Sequence, residues 1–390
     1  MAQIALVPYG NAGNQIAGAY EGLLSYQPLN HQKDEIRLLR VDLSESGHHE
    51  LELKSNISLR MSMPRYTALS YPWGTGRRRI CIEIDGSRLY ISQYLDAALK
   101  AVKKHWRSMA NTPKYRYLWV DQICINQAYA AEKNHQVAFM GTIYEMAEEV
   151  IIWLPVARDT PVRDKIDAGF STWRDWRDYH LDYSSPRKLW YDRNLSTHRP
   201  EVTVSRASLR VWTRMHRIVR NSWWERAWVY QEFMLSTRAT FLISGLAIPW
   251  LDFQKFLDKV YSRLPAHVAD SEAAIASLRR QKKRLNAMTW NSPTLWKRVL
   301  GMESADQKWA YEELGYVRRK IADLTAHNTA MAEAQESWEL ATFMMRSRAA
   351  RLSFAGRTYQ KLSALMYHGR NCKSTDPRDK VFAFLGLADP

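Results

Sequence analysis

The chain has 390 residues, 46% of them hydrophobic, and carries a formal charge of +16. That length can bury a sizeable core and points to two or three domains. Its three cysteines, Cys81, Cys124 and Cys372, lie far apart with no CxxC spacing, which argues against a disulfide framework and a structural zinc site and fits a reducing compartment.

The opening stretch MAQIALVPYGNAGNQ has no basic region followed by a long apolar run, so no secretory signal is expected. The longest apolar stretches, such as VIIWLPVA, are too short to span a bilayer. A cytoplasmic protein with no membrane span is the expectation. The charge raises nucleic acid as a partner, through Arg77, Arg78 and Arg79 and through RRQKKR, Arg279 to Arg284. No zinc-finger, RNA-recognition or helix-turn-helix pattern accompanies these runs, so they read as solvated faces. The 16 Trp and 20 Tyr outnumber the 10 Phe, and such flat faces with polar tips suit both wet core edges and nucleotide rings.

In chain order, IRLLRVDL (36–43) reads as a strand and is followed by a polar stretch of no clear type. YTALSY (66–71) is the next strand, ended by Pro72 and opened into a loop by Gly74 and Gly76. RICIEIDGSRLYIS places Ile80, Ile82 and Ile84 on one face and turns at Asp85-Gly86, a hairpin signal. Ser92 then caps a helix whose apolar stripe is Leu95, Leu99, Val102 and Trp106. YRYLWV (115–120) is a strand, Val137, Met140, Tyr144 and Ala147 mark a helix, and VIIWL (150–154) returns as a strand. Such alternation implies a parallel sheet flanked by helices.

The stretch 156–221 is charged, aromatic and irregular, and reads as an insertion. SWWERAWVYQEFML (222–235) resumes as a helix, opened by a Ser222/Glu225 capping box, and ATFLI (239–243) as a strand. From about 251 the pattern is mostly helical, over Ala266–Lys283, Gln307–Ala326 and Ala332–Phe354. The last helix has Asp376 as cap, Pro377 at its first position and Gly386 past its end.

Three segments carry candidate chemistry. Counted from Ser222, a helix puts Trp224, Trp228, Glu232 and Leu235 on one face, so Glu232 projects among side chains that dock on the sheet. A carboxylate there needs a cleft or a partner. The bland alternative is a buried pair with an arginine such as Arg226. ALSYPWG offers Ser70, Tyr71, Trp73 and Gly74 after a strand, or simply a tight turn with Trp73 as a lid. LWVDQICINQ ends its apolar strand on Asp121, Asn126 and Gln127, which sit where ligands bind in α/β sheets or else bond their own backbone. The GxGxxG, GxxxxGK, GxSxG and HExxH patterns are absent, and His48-His49 has no second ligand pair nearby, so no metal is expected.

Together, YTALSYPWG, LWVDQICINQ, QVAFMGTIYEMAEEVIIWL and WERAWVYQE, followed by DPRDKVFAFLGL, resemble the fungal heterokaryon-incompatibility (HET) domain. That family is thought to be remotely similar to Toll/interleukin-1 receptor (TIR) domains. ALSYPWG resembles the first strand and loop of those domains, WVDQ the second strand, and WVYQE the helix bearing the glutamate of the NAD-cleaving members. The resemblance implies a TIR-like α/β domain over 30–250, with an added hairpin and the 156–221 insertion, and a helical region over 251–390 packed on it. It implies a cell-death effector of non-self recognition in innate immunity, an NAD hydrolase with Glu232 catalytic, self-association, and no cofactor beyond NAD as substrate. Trp73 and Trp228 would stack on rings, Ser70, Asn126 and Gln127 would hydrogen-bond the ligand, and Asp121 would orient contacts to Glu232 or be purely structural. The alternative is a non-catalytic signalling scaffold acting through self-association.

Overall fold

The computed structural model describes residues 24–44, 51–60, 64–74, 79–155, 206–290, 305–353, 362–370, 372–374, 377–385 and 387. The opening stretch, His48-His49, Gly76, Arg77, Arg78, Asp376, Gly386 and most of the expected insertion lie outside them. The strands are β1 (Glu35–Asp42), β2 (Leu51–Ser58), β3 (Tyr66–Ser70), β4 (Arg79–Ile84), β5 (Ser87–Ser92), β6 (Tyr115–Trp119), β7 (Glu149–Leu154), β8 (Ala239–Ile243) and β9 (Leu246–Pro249).

Seven of these form one sheet in the order β2-β1-β6-β3-β7-β8-β9. Its centre, β6-β3-β7-β8, is parallel, with Ala68 opposite Trp119 on one side and Val150 on the other. Every residue of β3 is buried, as a strand covered by helices on both faces requires. The edges depart from the expected parallel pattern: β1 runs antiparallel to both β2 and β6, and β9 antiparallel to β8. Strand β2 occupies the polar stretch whose type the sequence left open. Strand β9 follows a two-residue turn in which Ser244 and Gly245 both have positive φ, as a tight hairpin needs.

The expected Asp85-Gly86 hairpin stands apart as β4-β5, and both turn residues have positive φ. Helix α1 (Gln93–Arg107) begins where the Ser92 hydroxyl accepts from the Leu95 N–H at 3.1 Å. It buries Leu95, Ala98, Val102 and Trp106, and each of the larger apolar side chains contributes roughly 1.5–3 kcal/mol. Helix α2 (Asp121–Cys124) is a single turn, and α3 (Ala130–Met146) packs Met140, Ile143 and Tyr144 inward.

The end of the expected insertion is not irregular. Residues Arg206–Val219 form helix α4, which places Trp212, Met215, Ile218 and Val219 in the core. The helix expected over 222–235 is shorter, α5 spanning only Val229–Met234. The Ser222 capping box does not form, because Asn221 supplies the cap chemistry: its Oδ1 accepts from the Trp223 N–H at 3.0 Å, and its Nδ2 donates to the Pro155 carbonyl at 2.9 Å.

Beyond the sheet run α6 (Trp250–Tyr261), α7 (Leu264–Trp290), α8 (Ala305–Glu333), α9 (Gln335–Ser353), α10 (Leu362–Gly369) and α11 (Asp379–Leu385). The expected helix from Ala332 is broken near Ala334, and the last helix starts at Asp379 rather than Pro377, which sits in the preceding turn. Pairs His267–His327 and Gln281–Glu313 show α7 and α8 running antiparallel. Trp338, Ala341 and Met344 of α9 share one buried cluster with the sheet, so these helices complete the core around α5. Arg79 and the cations at 279, 280, 283 and 284 are exposed, as a solvated basic face requires.

Candidate functional site

Strand β3 ends in Ser70, whose hydroxyl is enclosed between two distant side chains. It donates to Glu232 Oε2 and accepts from Trp223 Nε1 at 2.6 Å. Helix α5 brings Glu232 there on a fully buried turn, and the residue is 1% exposed. The next strand of the sheet, β6, ends at Trp119, two residues before Asp121. That carboxylate accepts from Tyr71 Oη at 3.2 Å, Trp73 Nε1 at 2.7 Å and the Gln122 N–H at 2.8 Å. The ends of two neighbouring parallel strands therefore meet the start of α5 at one edge of the sheet, where such sheets bind ligands.

Arg226 joins the two carboxylates. Its guanidinium donates to the Tyr71 carbonyl at 2.6 Å and lies 3.5 Å from Glu232 Oε1. Burial pushes both carboxyls above the ordinary range; the Arg226 charge and the hydrogen bonds from Ser70 to Glu232 and from Trp73 to Asp121 pull back against it. The Asp121 charge raises Glu232 further. Burial disfavours the Arg226 cation, yet Glu232 and Asp121 outweigh it and raise its pKa. The phenols of Tyr71 and Tyr144 are held neutral by burial, and Tyr144 Oη donates to the Leu69 carbonyl at 3.1 Å.

Of the residues singled out in the sequence, Ser70, Tyr71, Trp73, Asp121 and Glu232 come together. Gln127 is exposed and reaches this edge only through its Nε2, which donates to the Asp121 carbonyl at 2.8 Å. Asn126 accepts from the Ala128 N–H at 3.1 Å, an Asx turn rather than a free ligand group. Gly74 sits at φ +74° against the Tyr94 ring. Trp228 is the cap position of α5 and packs, partly buried, on the core. The pairing of Glu232 with Arg226, raised as the bland alternative, is present. Trp223 was missed; the only signal for it was the Trp-Trp pair itself. Cys124 is buried behind the site, which lifts its thiol to about 12 and leaves it unreactive.

Among the described residues the carboxylates themselves are closed to solvent, and Trp73, 40% exposed, and the Arg226 side chain, 20% exposed, reach it beside them. A separate cavity of about 380 Å³ lies between the β4-β5 hairpin, α1 and β1, lined by Val41, Ile82, Leu99, Trp106 and Leu118, and none of the clustered residues faces it. Among the described residues no three His, Cys, Asp or Glu side chains are grouped to hold a metal ion, and no helix is long and apolar enough to cross a membrane.

The chain is thus an α/β sheet with a Ser-Glu-Arg-Asp cluster at the carboxyl ends of its parallel strands. Residues 66–232 match the family model described as "Heterokaryon incompatibility protein (HET)", a span that runs from the first residue of β3 to Glu232. Over that span the chain is similar to the heterokaryon-incompatibility family. "Heterokaryon incompatibility protein 6, OR allele" of Neurospora crassa is 32% identical over 194 residues, covering 46% of this chain. The match takes in 28% of the length of that relative. No solved structure matches the chain.

Proposed function

We propose that this chain is a cytoplasmic cell-death effector of fungal non-self recognition that hydrolyses NAD at the nicotinamide–ribose bond, on a TIR-like domain spanning about 30–250 with the 251–390 region packed on it. The observation that carries the reading is the convergence of Ser70, Asp121, Arg226 and Glu232 at the carboxyl edge of β3 and β6. In this reaction the C1′–N1 bond breaks, nicotinamide leaves with the bonding pair, and water adds to C1′ with loss of a proton. The ribosyl centre passes through a cation-like state, which a preorganised carboxylate stabilises. Glu232 fills that role, directly or by holding the ribose hydroxyls, with Ser70 orienting it. Trp73 offers a flat face at the mouth, and Arg226 supplies the positive charge suited to a diphosphate.

The second reading is a non-catalytic scaffold that acts through self-association. It is favoured by one observation, the ion pair of Glu232 with Arg226 and its hydrogen bond from Ser70, which is also how a structural carboxylate is held. Nicotinamide release from NAD by the purified chain, compared with Glu232→Gln, separates the two. Release that depends on Glu232 supports hydrolysis; no release from folded protein even after Arg226 is freed from Glu232 supports the scaffold.

A further inference from the structure

Oε2 of Glu232 accepts from the Ser70 hydroxyl; Oε1 has no hydrogen-bond partner among the described residues and is covered by the Arg226 guanidinium at 3.5 Å, and the residue is closed to solvent. A ligand atom meets this carboxylate only after a neighbour moves. Ser70 ends a buried strand and Trp223 is wholly enclosed, so neither can swing aside. Arg226 differs, because it stands in the turn before α5 with part of its side chain in water.

That turn is gripped by a piece of chain from far downstream. The Lys373 N–H donates to the Glu225 carbonyl, and the Ala227 N–H donates to the Lys373 carbonyl at 3.2 Å, a parallel bridge with Arg226 at its centre. Lys373 Nζ also pairs with Glu225 Oε2 at 2.6 Å on the surface. Further along, Gln231 Nε2 donates to the Phe382 carbonyl at 2.8 Å, and Phe384 meets the Tyr230 ring edge-on at 4.9 Å. The downstream segment therefore holds both the residue that covers Glu232 and the helix that carries it.

We infer that the segment at Lys373, together with α11, is an inhibitory strap that keeps Arg226 on Glu232 until it is released. The inference rests on Glu232 being the reacting carboxylate. The side-chain tie is an ion pair whose lysine is 75% exposed, and such pairs add little stability. The apolar anchors of this unit are few, Cys372, Ala383, Phe384 and Leu387, so it opens at lower cost than the sheet beneath it. Withdrawal of the strap leaves the 225–228 turn without its bridge, and Arg226 moves out with the turn, exposing the carboxylate.

The test labels carboxylates of the full chain with a carbodiimide and a small amine, reads Glu232 by peptide mass, and follows amide exchange at Ala227. Lys373→Pro removes the N–H that donates to Glu225; Glu225→Lys sets two cations against each other, and adding Lys373→Glu restores the pair. Ala227 should exchange faster and Glu232 should label about tenfold faster in the first two variants, the scale of a local opening freed from a tie, and return toward wild type in the double variant. Unchanged Glu232 labelling with faster Ala227 exchange would overturn the strap. If Lys373→Pro fails to fold, the Glu225→Lys single and double variants decide alone. Nicotinamide release is measured on the same samples: faster labelling without release keeps the strap and removes NAD hydrolysis.

Discussion

The Ser70 hydroxyl donates to the Glu232 carboxylate across 162 positions of sequence, joining the end of a core strand to a one-and-a-half-turn helix. Around that bond the chain gathers a second carboxylate, Asp121, and one guanidinium, Arg226. Three charged groups in so small and closed a space depend on one another, and removing any one changes the ionisation of the rest.

Arg226 is therefore expected to respond differently to two changes at Glu232. Glu232→Gln keeps the bond to Ser70 and removes a carboxyl that burial already pushes toward its neutral form, so the melting temperature should shift little. Glu232→Ala leaves Arg226 short of a partner. The cost should be about 2–3 kcal/mol, below the ~3–5 kcal/mol of a wholly buried broken pair, because the Arg226 side chain keeps 20% exposure. Urea unfolding of both variants checks this ordering.

Most of the sheet was legible because its signals are local. Alternating Ile80, Ile82 and Ile84 with Asp85-Gly86 specify a hairpin, and Ser92 before Leu95 specifies a helix start, whatever the rest of the chain does. The 222–235 segment was misread for the opposite reason. Ser222 and Glu225 have the spacing of a capping box, but Asn221 holds the Trp223 N–H, and Glu225 is drawn to Lys373, 148 positions away. Glu232 still reached the predicted place, because α5 itself is fully buried against the sheet. Partners such as Trp223 for Ser70 come from tertiary packing and leave no periodic trace.

Arg37 and Glu132 form a second buried pair, with two bonds at 2.6 and 2.9 Å, and Arg37 also donates to the Cys124 carbonyl behind α2. Burial opposes the Glu132 charge, but the Arg37 hydrogen bond, the Asn126 N–H and the Arg37 charge together hold its pKa below the ordinary value of 4.5. A lowered carboxyl adds stability above that value and loses it as the pH falls. Glu132→Ala should destabilise the chain by ~3–5 kcal/mol in chemical unfolding.

His267 and His327 contact each other through Nε2 atoms at 2.9 Å between α7 and α8, with His267 stacked on Trp212 at 4.4 Å. Burial, then the charge of its histidine neighbour, lowers His267 to about 3; burial, then His216, lowers His327 to about 4. Both are neutral in the fold, while the unfolded chain takes up protons below about 6.5. Their contribution is complete above that pH and is lost as the pH falls toward 4. Melting curves should show an acid limb that His267→Phe, which keeps a ring on Trp212, makes shallower.

Gly74 holds the loop after β3 at φ +74°, and a Cβ there would run into the Tyr94 ring. Gly74→Ala is expected to cost ~1–3 kcal/mol and to displace Trp73 from Asp121. Tryptophan quenching by acrylamide, rising relative to wild type, would report that displacement.

The measurement that bears most directly on the central claim is nicotinamide release from NAD by the wild-type chain and Glu232→Gln, each verified as folded by its melting curve. The account expects release by the wild type and a loss of about 100-fold or more in the variant, the scale of removing a main electrostatic group. Equal release by the two folded proteins, or none from either the wild type or the folded Glu225→Lys chain in which Arg226 is freed from its strap, would contradict it.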